Sequence, residues 1–223
     1  MKKRMLALLL ALCCVSSLAG CGNQGQAQQD QSSQGQQNQG SQSTTTNPAD
    51  EFLKGITPET AEANGVCGAD LTWYYQDNVL VIKGTGEMTD YGENDPPWED
   101  YKEDIGWIII GDGCTSVGKA AFAGFSSLSK VDFPDTLKVI KDYVFERCNN
   151  LKELTLPTSL EEISSGNFSF EPERFETLTF LGDAPDGLQF TIIDGSDALT
   201  VNYSGSGFEP YIEQYPNTNW IKQ

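Results

Sequence analysis

Apolar positions repeat along the middle of the chain with a period of 23 residues. The equivalent residues Ile105, Leu128 and Leu151 each open a unit with the same order of apolar and polar positions. Five later places in each unit are also apolar: Ile108, Ile110, Cys114, Val117 and Phe122; Val131, Phe133, Leu137, Ile140 and Phe145; Leu154, Leu156, Leu160, Ile163 and Phe168. A unit of this length buries its apolar residues only when it is stacked on its neighbours. The pattern therefore predicts a solenoid, which offers an extended surface instead of one reactive cleft.

Each unit is predicted to contain two short strands and a turn. Val131 and Phe133 alternate with polar residues, which is the spacing of a strand with one face inward. Pro134 follows and ends the strand, because proline has no amide donor. The second extended pieces are predicted at 137–140 and 160–163. Single helical turns, which carry each phenylalanine inward, are predicted at 119–124 and 141–147.

The region before the repeats is predicted to cap the solenoid. Apolar and polar residues alternate from Leu71 to Tyr75, Asp77 and Asn78 form a turn, and a β-branched run follows at 79–82. This pattern indicates a β-hairpin. Trp98, in a proline-rich loop, is expected to plug the first coil. A short helix is expected within 48–63, centred on 58–63.

Beyond the third unit the period slips by one residue, because Phe175, Leu178 and Phe180 repeat the strand 24 residues after Leu151. Further strands are predicted at 188–193 and 199–203. The tail from Phe208 to Trp220, with aromatic residues at helical spacing, is predicted to cap the second end. An aromatic ligand platform is the competing interpretation, although such residues are more often core.

The first 21 residues have the layout of a secretory signal, with a basic start, a short apolar run and small residues before Cys21. This arrangement resembles the lipobox of bacterial lipoproteins, which implies acylation of Cys21 after cleavage at residue 20. Acyl chains would hold the chain on a membrane. Ordinary signal cleavage, with Cys21 incidental, is the alternative. Residues 22–48 are almost entirely small and polar, so they are predicted to form a disordered tether.

The charge of the chain excludes some partners. The net charge is −18, and removal of the leader takes away only the basic residues Lys2, Lys3 and Arg4, which gives −21. A nucleic-acid-binding protein needs a basic stripe, and an anionic membrane surface needs a polybasic segment. We therefore expect neither partner, and contact with the membrane only through the lipid anchor. A soluble acidic surface explains the charge better than cation storage.

The chain contains no histidine, which removes mechanisms that need an imidazole. Acidic pairs such as Glu161 and Glu162 could flank a glycosidic bond, but adjacent carboxylates are expected in so acidic a chain. Cys114 and Cys148 occupy apolar places in the repeat and are predicted to be small core residues, while a disulfide to Cys67 is a weaker alternative. We predict no enzyme activity, no metal and no cofactor.

The unit from Leu128 to Leu151, LSKVDFPDTLKVIKDYVFERCNNL, resembles the repeat of BspA-like leucine-rich repeat proteins. Val117 and Gly118 match the Ile-Gly pair that this family carries before the turn, whereas Lys141 and Ser164 depart from its glycine. The resemblance covers roughly residues 64–170. It implies adhesion or protein interaction at the bacterial cell surface, with no shared catalytic residues.

These observations predict an α/β, β-rich leucine-rich-repeat solenoid of about 23-residue coils, with an N-terminal β-hairpin cap and a C-terminal cap. The predicted segments are a signal peptide (1–20), a lipidated Cys21 with its tether (21–48), an N-terminal cap (49–104), regular repeats (105–173), and degenerate repeats with a cap (174–223). We expect a monomer, exported and lipid-anchored to the bacterial envelope, facing outward.

The candidate binding face comprises the outward strand positions Trp107, Ile109, Lys130, Asp132, Glu153, Thr155, Thr177 and Thr179. Large apolar residues at Trp107 and Ile109 favour contact with a partner, but burial under the loop at 96–98 explains them equally well. A host or envelope protein is the expected partner. Carbohydrate binding or processing by carboxylates and aromatic residues is the alternative, and exposed tryptophan and tyrosine clusters would favour it.

Overall fold

The computed structural model describes residues 48–92, 95–167, 176–189 and 199–223. Within these ranges the elements are α1 (Pro48–Gly55), β1 (Ala63–Val66), β2 (Gly68–Gln76), β3 (Val79–Met88), a 3-10 turn (Glu99–Tyr101), β4 (Trp107–Ile110), β5 (Cys114–Val117), β6 (Lys130–Asp132), β7 (Val139–Ile140), β8 (Glu153–Leu156), β9 (Glu162–Ile163), β10 (Thr177–Phe180), β11 (Thr200–Tyr203), α2 (Glu209–Gln214) and β12 (Asn219–Lys222). The predictions for Cys21, the tether, Phe168 and Phe175 lie outside the described residues.

The first strands of successive coils stack in parallel and form the front of the solenoid. β4 pairs with β3 and β6 in one sheet, and β10 pairs with β8 and β11 in a second sheet. β6 contacts β8 but does not pair with it, so the front consists of two adjoining sheets. Lys130 lies opposite Trp107, 23 residues earlier, whereas Thr177 lies opposite Glu153, 24 residues earlier. The predicted solenoid of 23-residue coils, including its one-residue slip, is therefore confirmed.

The second strands of the coils form a side sheet. β5, β7 and β9 pair in parallel, at the places predicted for the second extended pieces. β3 belongs to both sheets, because its first half pairs with β4 and its second half with β5. The long hairpin strand is thus the first layer of the stack and closes its apolar end.

The N-terminal cap confirms the hairpin and corrects the helix. Asp77 and Asn78 have φ of 50° and 64°, the left-handed pair that matches a tight hairpin to the twist of its strands. The helix covers Pro48–Gly55, not 58–63. Residues 58–60 instead form a turn, in which the Thr60 and Ala61 backbone N–H groups donate to the Thr57 carbonyl. Ala63 then begins β1, which pairs antiparallel with β2.

Aromatic rings stack through the core from coil to coil. Phe122 and Phe145 are both fully buried, and their ring centroids are 6.1 Å apart. Trp98 is also fully buried, and its indole Nε1 donates to the Ala121 carbonyl at 2.9 Å. The predicted phenylalanine column is therefore confirmed for these two rings, and the tryptophan plug sits on its first member at 5.7 Å.

The turns after the second strands are built on left-handed residues. Ala120, Tyr143 and Gly166, which follow one another at 23-residue intervals, have φ of 52°, 59° and 76°. The segments at 119–124 and 141–147 are therefore hydrogen-bonded turns and not helices, because a left-handed residue interrupts the right-handed backbone in each. The same corner thus recurs in each coil without needing glycine at every copy.

Gly118 lies against the N-terminal cap, whereas the equivalent places in later coils are not occupied by glycine. A Cβ built on Gly118 would lie 1.8 Å from the Thr89 carbonyl oxygen, at the end of the capping strand β3. Lys141 and Ser164 are the equivalents one and two periods later, and they stack on ordinary coils. The glycine is therefore required where the first coil meets the cap.

Aromatic residues close the second end of the solenoid. Phe208 is fully buried, with ring centroids 4.8 Å from Tyr203 and 5.2 Å from Phe180. β12 pairs in parallel with β11 and extends the front sheet by one strand that the sequence pattern does not predict. Residues 188 and 189 are not in a strand, contrary to prediction, and the rest of 188–193 lies outside the described ranges.

Candidate interaction surface

The outward side chains of three front strands form a polar row, here called the strand lane. Its members are Lys130, Asp132, Glu153, Thr155, Thr177 and Thr179. Lys130, Glu153 and Thr155 are exposed, and the other members are half-buried. Their inward neighbours are Val131, Leu154 and Leu178, all in the core. Alternation along each strand therefore places these six predicted residues together on one open surface.

Helix α1 covers the first part of the same face. Ile109 is only 1 % exposed and packs with Val79, Val81 and the α1 residue Ala49. Ile109 therefore does not belong to an open binding face, which corrects that part of the prediction. The expected cover, the loop at 96–98, instead points Trp98 into the core of the solenoid. The amphipathic α1 replaces it because the first two layers carry apolar residues at outward positions.

A lysine holds the end of α1 against the sheet. The Lys83 ammonium nitrogen donates to the Ile56 carbonyl at 2.7 Å and lies 5.5 Å from the centre of the Tyr74 ring. Desolvation lowers the pKa of Lys83. An isolated helix of 8 residues is not stable in water, so packing and this contact keep α1 in place.

Trp107 stands at the junction between α1 and the strand lane. Its indole Nε1 donates to the Asp132 carboxylate at 2.5 Å, and the Lys130 ammonium lies 4.1 Å from the ring centre. Lys130 also pairs with Asp132 at 2.9 Å. The Phe52 ring of α1 packs edge-to-face with the Trp107 indole, with ring centroids 5.8 Å apart. Trp107 is half-buried, so it belongs to the surface while its position is fixed from several sides.

The lane extends farther than the sequence prediction. Thr200 and Asn202 lie opposite Thr177 and Thr179, and Asn219 lies opposite Thr200. The Asn202 amide donates to Thr179 Oγ1 at 3.4 Å, and the Asn219 amide donates to Thr200 Oγ1 at 3.2 Å. Adding one period of 23 to the outward threonines would have identified the first two residues. With paired β-strands about 4.8 Å apart, the part of the lane from β8 to β12, in which all neighbouring strands are hydrogen-bonded, is about 14 Å long.

The described residues provide little reactive chemistry. Burial raises the pKa of the Cys67, Cys114 and Cys148 thiols to about 12, 11 and 12. All three are free and buried, as predicted for the last two, so they remain protonated and inaccessible. Among the described residues, no group of three His, Cys, Asp or Glu side chains could hold a metal ion.

Aromatic side chains are mostly inside the caps. Trp73, Trp98, Tyr75 and Tyr91 are buried. Of the large apolar side chains classed as exposed in the described ranges, Tyr143 is the one aromatic residue. Among the described residues there is therefore no exposed cluster of aromatic rings of the kind on which the carbohydrate alternative depends. The half-buried Trp107, beside Asp132, is the aromatic residue of the lane region.

No helix in the described segments is long and apolar enough to cross a membrane. Parallel coils of about 23 residues with an inward leucine, isoleucine and phenylalanine pattern define a leucine-rich-repeat solenoid. Residues 101–182 match the family model for the BspA type leucine-rich repeat region, with 6 copies. Over these residues the chain is therefore similar to the BspA type of leucine-rich repeat. Leucine-rich repeats generally mediate protein interactions and are typically non-enzymatic.

Solved structures of bacterial leucine-rich repeat proteins resemble the chain. A leucine-rich repeat protein from Eubacterium ventriosum is 22% identical, with a TM-score of 0.48 over 64% of this chain and 44% of that one. The T. pallidum leucine-rich repeat protein TpLRR is 14% identical, with a TM-score of 0.38 over 68% of this chain and 85% of that one.

The pneumococcal vaccine antigen PcpA is 15% identical, with a TM-score of 0.38 over 68% of this chain and 47% of that one. The chain thus spans less than half the length of the Eubacterium protein that it resembles. A comparison with curated proteins gives no match.

Proposed function

We propose that this chain is an exported lipoprotein, anchored by acylated Cys21 to the bacterial envelope, whose repeats bind a protein partner in an adhesion-like role. The strand lane is the contact surface, and the chain acts as a monomer. The observation that carries the proposal is the open, regular row of polar side chains on β6, β8 and β10, in a repeat class that generally mediates protein interactions.

The composition of the lane favours a protein partner. It presents charges of both signs and several hydroxyls, including Lys130, Glu153 and Thr155. Such groups pair with backbone and side-chain polar groups of a partner at the rim of an interface. Trp107, at the end of the lane, is the type of half-buried aromatic residue that anchors binding.

A binding screen with a matched control tests this proposal. The chain from Gly22 onward is presented to arrays of extracellular and envelope proteins and of cell-wall glycans. The substitutions Glu153→Arg, Thr155→Arg and Thr177→Arg change the lane, whereas Glu161→Arg with Glu162→Arg produces the same shift in net charge on the side sheet. We expect protein binding that the lane variant loses and the control retains.

Other results would contradict the proposal. Binding that survives the lane substitutions would remove the lane as the contact surface, and binding to glycans alone would support the carbohydrate alternative. The anchor is tested separately by metabolic labelling with a fatty acid in the intact precursor. Cys21→Ser is expected to lose the label and to release the protein from the envelope, and an unlabelled wild-type chain would refute lipidation.

A further inference from the structure

An open cleft lies between α1 and the turn of the β2–β3 hairpin. It is open to solvent and has a volume of about 550 Å³. Its lining includes Glu51 and Phe52 from α1, Gln76 and Asp77 from the hairpin, and Trp107 from β4. A volume of this size is in the range of pockets that bind small ligands or single side chains of a partner. The cleft shares Trp107 with the junction at the end of the strand lane, so a partner on the lane reaches it directly.

The aromatic wall of this cleft is suited to a cation. Lys130 already lies 4.1 Å from the centre of the Trp107 ring, so the structure holds one ammonium group against this indole. The indole N–H donates to the Asp132 carboxylate at 2.5 Å, an anionic acceptor that leaves the ring richer in electrons. Phe52, 5.8 Å away, supplies a second ring.

The charge of the lining points the same way. Glu51 and Asp77 are acidic, and no lysine or arginine lines this cleft in the part of the chain that the structure describes. Glu62 is close by, since its carboxylate accepts the Asp77 backbone N–H at 2.9 Å. Negative side chains next to aromatic rings therefore give a site complementary to a positive group.

The part of the chain that directly precedes α1 carries no cation. Residues 22–47, which precede α1, contain no lysine and no arginine. The residues that directly precede α1 in the sequence therefore contain no positive side chain, and we look to a partner for the cation. A planar guanidinium fits this lining better than an ammonium, because it stacks on aromatic rings and also pairs with carboxylates.

We propose that the cleft binds an arginine side chain of the partner protein, which anchors that partner at one end of the strand lane. This inference rests on the proposed protein-binding function and names the chemistry of one contact. In this proposal the Phe52 and Trp107 rings lie on one side of the arginine side chain, and the Glu51 and Asp77 carboxylates lie on the other. The rest of the partner follows the lane.

Binding of a short arginine peptide to the full chain tests the cleft directly. The probe is an uncharged peptide with one central arginine, and its control carries citrulline, which has the same shape without the charge. Binding is followed through the indole N–H signal of Trp107 in nuclear magnetic resonance spectra, assigned by its loss in Trp107→Phe. We expect a saturable shift with the arginine peptide and none with the citrulline peptide.

Matched variants separate the cleft from net charge. Glu51→Gln with Asp77→Asn should weaken the arginine peptide by about tenfold, which is the loss expected for removing both carboxylates from a partly desolvated cation site. Glu161→Gln with Glu162→Gln removes the same charge on the side sheet and should leave binding unchanged. Circular dichroism spectra should be identical for both variants, since all four residues are at the surface.

Three results would overturn the inference: equal shifts with arginine and citrulline, equal weakening by the side-sheet variant, or a Trp107 shift with a neutral oligosaccharide but not with the arginine peptide. The outcome is distinguishable from that of the proposed function. Protein capture that depends on the lane, without a peptide effect, refutes the cleft alone. Peptide binding without any protein capture supports the cleft and refutes the lane.

Discussion

Asn167 provides the sharpest test of how the coils are held together. Its side chain is 1 % exposed, and its amide nitrogen donates to the carbonyls of Lys141 at 2.7 Å and Ser164 at 2.8 Å. Its amide oxygen accepts the Val144 backbone N–H at 2.9 Å. One side chain thus satisfies three backbone groups on two coils, the buried Val144 N–H and two partly buried carbonyls. Asn167→Ala leaves all three without that partner, at a cost of about 1 kcal/mol or more each, so we expect about 3 kcal/mol of destabilisation.

Asn167→Asp probes the same site through pH. The carboxylate can still accept the Val144 N–H, but its other oxygen faces two carbonyl oxygens, so the charged form is unfavourable. The pKa of the introduced carboxyl is therefore raised in the folded state. A raised folded pKa means that the neutral form stabilises at low pH and that stability is lost as pH rises through the folded pKa.

Urea unfolding, followed by tryptophan fluorescence at pH 7.5 and pH 4.5, measures both effects. We expect the deficit of Asn167→Asp relative to wild type to be smaller at pH 4.5. Asn150→Ala is the control, because the Asn150 amide is exposed and donates to a single carbonyl at 2.6 Å, so its loss should cost less than about 1 kcal/mol. A cost below 1 kcal/mol for Asn167→Ala, or a pH-independent deficit for Asn167→Asp, would refute the reasoning.

Three further predictions concern packing, the cap and a surface carboxylate. Phe145→Ala should cost about 3–5 kcal/mol in urea unfolding, because the ring is fully buried in the column. Gly118→Ala should lower the unfolding free energy by about 2–4 kcal/mol, since its Cβ meets backbone, whereas Gly124→Ala, with φ of 77° and open space, should cost about 1 kcal/mol. The Lys119 backbone N–H, and then the Lys141 ammonium, lower the pKa of Asp90. Asp90→Asn should therefore be less stable than wild type at pH 7, and this deficit should vanish as pH falls through the lowered pKa.

Each of these has a result that would count against it. A Phe145→Ala cost near that of a surface substitution would mean that the coils are not packed through this ring. Equal costs for the two glycine variants would show that contact with the cap does not explain the need for Gly118. Thermal unfolding of Asp90→Asn with the same deficit at pH 7 and pH 2.5 would remove the carboxylate charge as the cause.

The repeating features of the fold could be predicted from the sequence because each recurs. The inward phenylalanines, the outward residues of the lane and the one-residue slip before Thr177 all follow from the apolar period. The hairpin was also predictable, because alternation on both sides of Asp77 and Asn78 fixes its turn. In each case the signal is local and periodic, which is the kind that a single sequence carries.

The features without a periodic copy could not be predicted. Asn167 occupies a place where the preceding coils have Ala121 and Val144, so its buried hydrogen bonds have no counterpart in the pattern. Helix α1 is short, and its position depends on apolar outward residues that lie far along the chain, such as Ile109. Tertiary packing determines both features, and local propensity gives them little weight.

Site-specific photocrosslinking at the strand lane tests the central claim most directly. A photoreactive residue replaces Thr155 in the lane, and in a second protein it replaces Glu161, directly before strand β9 of the side sheet. Both proteins keep residues 1–21 and are produced in intact bacterial cells. Exposure of both positions makes their intrinsic reactivity comparable. The account predicts a discrete protein adduct from Thr155 that excess unmodified chain competes away, and none from Glu161. An adduct from Glu161 alone would contradict it.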